Sequence, residues 1–441
     1  MSFSTNIFIF YFFPISLLLS IIVNRVFYQY TKIVLLLISY IFCFWLGKTT
    51  IVYVLLVSLL LYLYSQCNKN KLFLYIFIIL IVLIFFKFVS IADIDNYYID
   101  KIISLQPIAI SFVSLSAISF CIDFYRNDNY KVSLIDISLY ISYFPKYISG
   151  PIVLWDEFKE KINHIDITLN NIVDGLVVFI KGFFYKVVIA DVLFCSIQPI
   201  ISHYSDHNSL VLILTIFVYS FVIYFDFLGY SVMATGISKS FGIELSSNFN
   251  MPYTSHSISE FYRRWHISLG NFFKKYVYIP LGGNKKNVYF NLFIVMLLSG
   301  IWHGNGIAYV LWGILTGLLM VIEKKYPCKK KRINIVVNYI IVSILWLPFM
   351  LGSTKNIINY IFCIFTNYHS SSLYGAEYYY NIRTILIMVF AIILSFSNLN
   401  RIEEQIKKIP VLYYVIFVFI FVVCIMFMIN STYTPFIYFR F

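Results

Sequence analysis

VYFNLFIVMLLSGIWHGNGIAYVLWGILTGLLMVIE, residues 288–323, reads as two apolar legs joined at a glycine-rich turn that carries one histidine, His303. Two full membrane passes need about 40 residues. Only 36 are available here, so at least one leg is short and the turn lies below the outer surface, at the floor of a depression. Gly300, Gly304 and Gly306 flank the imidazole. A polar group at that depth is costly unless it is partnered, and ionisable residues inside membrane segments are functional candidates. On spacing alone His303 serves equally well as a proton acceptor or as a hydrogen-bonded turn residue.

The rest of the chain has the same character. Its 441 residues are 61% hydrophobic, 20% aromatic and 12% charged, about half the charge of a soluble domain. The composition predicts an all-α integral membrane protein. Apolar runs at roughly 7–24, 32–47, 49–64, 72–90, 106–124, 173–197, 209–230, 288–303, 307–323, 334–351, 383–397 and 411–429 give about twelve expected transmembrane helices. The first run lacks a basic leading region and a small-residue cleavage site, so it reads as a mature helix and not as a signal peptide. Cys43, Cys67, Cys121, Cys195, Cys328, Cys363 and Cys424 are scattered without a CxxC pair, which points to neither a metal site nor a disulfide framework. No repeat and no linker breaks the sequence, so residues 1–441 read as a single membrane domain.

The formal charge is +13, and a basic soluble chain would suggest nucleic acid. Here the Lys and Arg residues crowd alternate connections: Lys69 and Lys71; Arg126 and Lys131; Arg263 to Lys286; Lys324 to Arg332; Arg401 to Lys408. That alternation reports topology and contact with lipid headgroups, not nucleic acid, and makes those loops cytoplasmic with both termini outside. Two stretches do not fit simple spans. Residues 136–158 are apolar but broken by Pro145, Gly150 and Pro151, as in a re-entrant or interfacial segment. Residues 257–284 mix aromatic and basic side chains, which suits a helix at the cytoplasmic interface. That segment carries His266, which beside Arg263 and Arg264 reads from the residues alone as a solvated histidine.

"YFDFLGYSVMATGISKSFGIELSSNFNMPYTSHSISEFYRRWHISLGNFFKKYVYIPLGG", followed by "NLFIVMLLSGIWHG", resembles the central signature of the membrane-bound O-acyltransferases (MBOAT), in particular the bacterial branch that O-acetylates alginate, peptidoglycan and other polysaccharides. "FSTNIFIFYFFPI", "YFPKYISGPIVLWDEF" and "PFIYFRF" are similar to that branch's N-terminus, re-entrant segment and C-terminus. The resemblance implies helices around a central tunnel in the bacterial inner membrane. It makes His303 the principal catalytic histidine and His266 the second signature position. It implies acetyl-CoA as the donor, entering from the cytoplasm, with Arg263, Arg264, Lys274 and Lys275 as phosphate partners by charge; the same residues suit lipid headgroups. Where the family carries an acidic residue after "GYS" this chain has Val232, which puts a local carboxylate role in doubt. Asp226 is retained, and its expected role is structural.

The chain ends in Phe436, Tyr438 and Phe441, an F-x-Y-x-x-F tail over 436–441. Tyr438 is either an interfacial aromatic anchor or, by resemblance, an acyl carrier. A phenol is a weak nucleophile at neutral pH and needs an adjacent base such as His303. In the carrier reading a periplasmic SGNH or serine-type O-acetyltransferase collects the acetyl group for a polysaccharide acceptor. The alternatives are a D-alanyl or longer-chain acyltransferase of the same fold, or a transporter or flippase; transporters often carry paired halves, and no internal repeat is found.

Overall fold

The structure is a computed structural model that describes residues 2–67, 69–91, 103–127, 132–304, 306–326, 331–369, 380–398 and 400–430. The 436–441 tail, with Tyr438, lies outside the described residues. Every regular element among the described residues is helical.

Among the described residues eight helices have the length and apolarity to cross a membrane: Phe8–Val26, Tyr28–Leu46, Lys48–Gln66, Lys69–Lys87, Ser209–Ser240, Ile307–Lys325, Asn334–Leu351 and Pro410–Ile429. Ile382–Phe396 with Arg401–Lys407 adds a ninth if counted as one bent span. Many of their side chains are apolar and exposed, such as Phe73, Val411 and Phe419, as a lipid-facing surface requires. The remaining expected spans are helical but shorter or more polar. Ile110–Arg126 has 17 residues and buries Ser111, Ser114, Ser116, Ser119 and Asp123. Residues 169–202 form two α-helices separated by a π-helical turn, Tyr185–Ala190. Val288–His303 has 16 residues, a length of about 24 Å.

The chain groups into two compact units. The first comprises Met1–Phe179, Tyr230–Ser247 and Asn271–Val277, and the second Ile180–Gly229, Asn248–Gly270 and Tyr278–Phe441. The 32-residue Ser209–Ser240 helix contributes residues to both, and 78% of its apolar window is buried, at least twice the share of any other span among the described residues.

In the first unit the expected broken segment is broken. Leu134–Ser142 is capped by Ser133, whose Oγ accepts the Asp136 amide at 3.1 Å. A single turn, Phe144–Tyr147, carries Pro145 in its first turn, and a non-helical stretch precedes Trp155–Asn163. An aromatic core of Phe8, Phe12, Phe42 and Phe144 packs around it, with ring centroids 5.5 to 6.3 Å apart.

In the second unit Val288–His303 and Ile307–Lys325 form a hairpin whose legs cross backbone to backbone. A Cβ at Gly300 would lie 2.5 Å from the Tyr309 carbonyl oxygen, and one at Gly313 would lie 2.6 Å from that of Met296. Small residues at such a crossing let membrane helices approach closely. Here they fix the end of the first leg, where His303 sits.

Candidate active site

His303 is the last residue of its helix, and Gly304 continues in an extended conformation. The chain cannot carry a side chain at 304, because a Cβ there would fall 2.1 Å from the Tyr309 ring. The imidazole is 5% exposed and is enclosed by rings: Trp302 at 4.8 Å, Trp312 at 5.2 Å and Phe349 at 5.4 Å, all near perpendicular.

His266 is placed by a different device. The Ile258–Arg264 helix starts at Ser257, whose Oγ accepts the Glu260 amide at 3.0 Å, while Glu260 Oε2 accepts the His256 amide at 2.9 Å. After Trp265 the backbone of His266 takes φ +46°, a left-handed conformation that costs a residue with a Cβ roughly 1–2 kcal/mol. Backbone bonds on either side hold it there. Asn250 N donates to Arg264 O at 3.0 Å, Ile267 N to Asn248 O at 3.0 Å, and Ser268 N to Asn248 Oδ1 at 3.3 Å. The ring packs on Phe227 at 4.8 Å and on Trp302 at 5.9 Å. It is 3% exposed, so the expectation of a solvated histidine is corrected: the strap from residues 248–250 folds it inward, although Arg263 three residues before it is exposed. Burial pushes its imidazole down to about 3, which keeps it neutral at physiological pH. The Trp302 ring therefore touches both signature histidines.

The four basic candidates divide in two. Arg264 donates to Glu260 at 2.7 Å and to Thr254 Oγ1 at 3.0 Å. Burial acts to raise the pKa of Glu260, but the His256 amide and the Arg264 guanidinium outweigh it and hold the carboxyl below its usual range. Lys275 bridges Asp123 and Asp156, each at 2.8 Å. Arg263 and Lys274 are exposed and have no ion pair among the described residues.

Asp226 is buried and ion-paired, with a partner the sequence reading did not single out. Lys186 Nζ lies 2.6 Å from both Asp226 and Asp191, all three buried. The π-helical turn explains the pairing. Its backbone bonds span five residues, the Asp191 amide reaches Lys186 O, and the two side chains five apart share one side. A lysine and an aspartate five apart inside an apolar run was the available signal. Also missed were Trp312 and Phe349 around His303, and the buried Asp123, which accepts from Tyr276 at 2.6 Å.

Residues 7–362 match the profile of MBOAT, the membrane-bound O-acyltransferase family. The chain is 37% identical over 254 residues to the Pseudomonas aeruginosa protein named "Probable alginate O-acetylase AlgI", covering 56% of this chain and 49% of that protein. It is 37% identical over 270 residues to the peptidoglycan O-acetyltransferase of Helicobacter pylori, covering 52% and 50%. A teichoic acid D-alanyltransferase of Streptococcus thermophilus is 30% identical over 247 residues, covering 52% and 60%. The match thus spans about half the length of the first of these relatives.

Proposed function

This chain belongs to the membrane-bound O-acyltransferase family, and we propose that it takes acetyl from acetyl-CoA at the cytoplasmic face and passes it outward for O-acetylation of a cell-envelope polysaccharide. The observation that carries this reading is the pair of buried signature histidines on one shared tryptophan, Trp302. In a bacterial inner membrane with both termini outside, the basic loops face the donor.

His303 is the general base. Its imidazole takes the proton of an attacking hydroxyl, a carbon–oxygen bond forms at the thioester carbonyl, the carbon–sulfur bond breaks, and the proton leaves with the CoA sulfur. The carboxyl end of a helix is negatively polarised, which suits a residue that becomes cationic during the step. His266, neutral and held by the backbone strap, packs on Trp302 and positions the site. Arg263 and Lys274 are the exposed cations available to CoA phosphates. The hydroxyl is that of Tyr438, and a periplasmic serine-type transferase collects the acetyl group from it.

The D-alanyltransferase relative favours a second reading, in which the same residues move a D-alanyl group. The transport alternative draws no support from the family match. The test is His303→Ala, with glycan O-acetyl and D-alanyl esters quantified by mass spectrometry and membrane levels of the protein checked. Loss of one ester names the acyl group; full retention of both overturns the mechanism. Tyr438→Phe should abolish any acyl adduct on the C-terminal peptide, and an active, adduct-free variant removes the carrier step.

A further inference from the structure

The broken segment of the first unit holds a lysine without an anion. Lys146 is 6% exposed, and among the described residues its Nζ has neither a carboxylate within ion-pair distance nor a hydrogen-bond acceptor. What meets the ammonium is two aromatic faces, Tyr140 at 4.3 Å and Phe158 at 5.6 Å. The Tyr140 ring is fixed, because its hydroxyl reaches Val153 O at 3.0 Å and Ser116 O at 3.2 Å. Ring faces favour the cation, whereas burial without a counter-ion disfavours it. The nearby carboxylates are committed elsewhere: Asp123 and Asp156 share Lys275. Where this fold buries another lysine, Lys186, it supplies two aspartates.

The same turn carries further donors without acceptors. Ser149 Oγ is buried and has no hydrogen-bond partner among the described residues. The amides of Ser149 and Gly150 make no backbone hydrogen bond there either. The turn is tight, since a Cβ at Gly150 would lie 2.5 Å from Lys146 Cα and 2.8 Å from the Pro145 carbonyl oxygen. One cation and three neutral donors therefore belong to five consecutive buried residues.

We propose that the Lys146–Gly150 turn is a seat for a phosphate group, with Lys146 supplying the charge and Ser149 Oγ and the two amides the hydrogen bonds. Successive backbone amides and a lysine together form a common phosphate cradle. A phosphomonoester offers three non-bridging acceptor oxygens to this set and a phosphodiester two. Two sources share that chemistry, a CoA phosphate and the phosphodiester of a lipid headgroup. The seat stands without the acyl-transfer reading, because binding is read without turnover.

The test uses the full chain in phosphatidylcholine nanodiscs. Coenzyme A binding is measured by calorimetry, and phosphatidylglycerol retention by native mass spectrometry, for the wild type, Lys146→Met and Ser149→Ala, with Lys71→Ala as a surface-charge control. Lys146→Met should weaken one ligand at least tenfold, and Ser149→Ala should weaken the same ligand several-fold. Ligand-free Lys146→Met should melt no lower than the wild type, because it removes a buried charge that had no counter-ion. Weakening for coenzyme A alone identifies the donor, and for phosphatidylglycerol alone the lipid. Undiminished binding of both by Lys146→Met overturns the seat; if that variant does not accumulate, undiminished binding of both by Ser149→Ala does so.

Discussion

Gly300→Ala tests whether the crossing of the 288–325 hairpin sets the position of His303. The new methyl would sit 2.5 Å from the Tyr309 carbonyl oxygen and 3.0 Å from Gly313 Cα, both backbone atoms. Ordinary contact begins at 3.4 Å, so the legs must part by roughly 0.9 Å at that level. His303 lies three residues further on the same helix, less than one turn away, and inherits most of that shift. Overpacking of this kind costs about 1–3 kcal/mol of stability. A displacement of about 1 Å at a reacting group costs on the order of 100-fold in rate. Glycan ester content, normalised to the amount of protein in the membrane, should therefore fall far more than the small drop in melting temperature would explain. Gly270→Ala is the control, since its nearest neighbour would be 3.7 Å away. Wild-type transfer by Gly300→Ala would refute the reasoning, and the crossing would then not be what sets the position of His303.

Lys186→Met leaves Asp191 and Asp226 buried without their cation and should cost about 3–5 kcal/mol. It is read as a lower melting temperature in detergent, which an unchanged value would contradict; Asp226→Asn should cost less, because Asp191 still faces the lysine. For His266 the folded value of about 3 lies below the roughly 6.5 of an unfolded histidine. As pH falls the unfolded chain takes up this proton first, so the contribution to stability is flat above about pH 7 and declines from about pH 6.5 toward 3. His266→Asn tolerates the left-handed backbone and should flatten that part of the decline in melting curves between pH 7.5 and 5; equal slopes in both proteins would contradict it.

The spanning helices were legible because a run of some twenty apolar residues is a property of composition, and Lys69–Lys87 and Pro410–Ile429 need nothing else. The placement of His303 at a short hairpin turn followed from counting residues between Val288 and Glu323. What surrounds it did not, because Trp312 and Phe349 come from 9 and 46 residues downstream and no local period connects them. The polar interior helices blurred the span count: Ile110–Arg126 spends its serines and Asp123 inside the protein, where hydropathy counts them as interruptions. His266 was misjudged for the opposite reason. Arg263 marks the outer side of the segment, while the bonds from Asn248 and Asn250 that turn the ring inward involve residues 14 to 20 positions away.

The fold treats its buried ionisable groups in two ways, and the difference bears on the chemistry. Lys186 is given two carboxylates, which fixes its charge and makes it a poor carrier of a proton. The two imidazoles are given rings. A neutral imidazole tolerates such an enclosure, since it buries no net charge, yet it retains a nitrogen lone pair that can accept a proton. An enclosure built from Trp302, Trp312 and Phe349 is thus compatible with the role proposed for His303, because it surrounds a neutral imidazole whose lone pair stays available to the proton of an attacking hydroxyl.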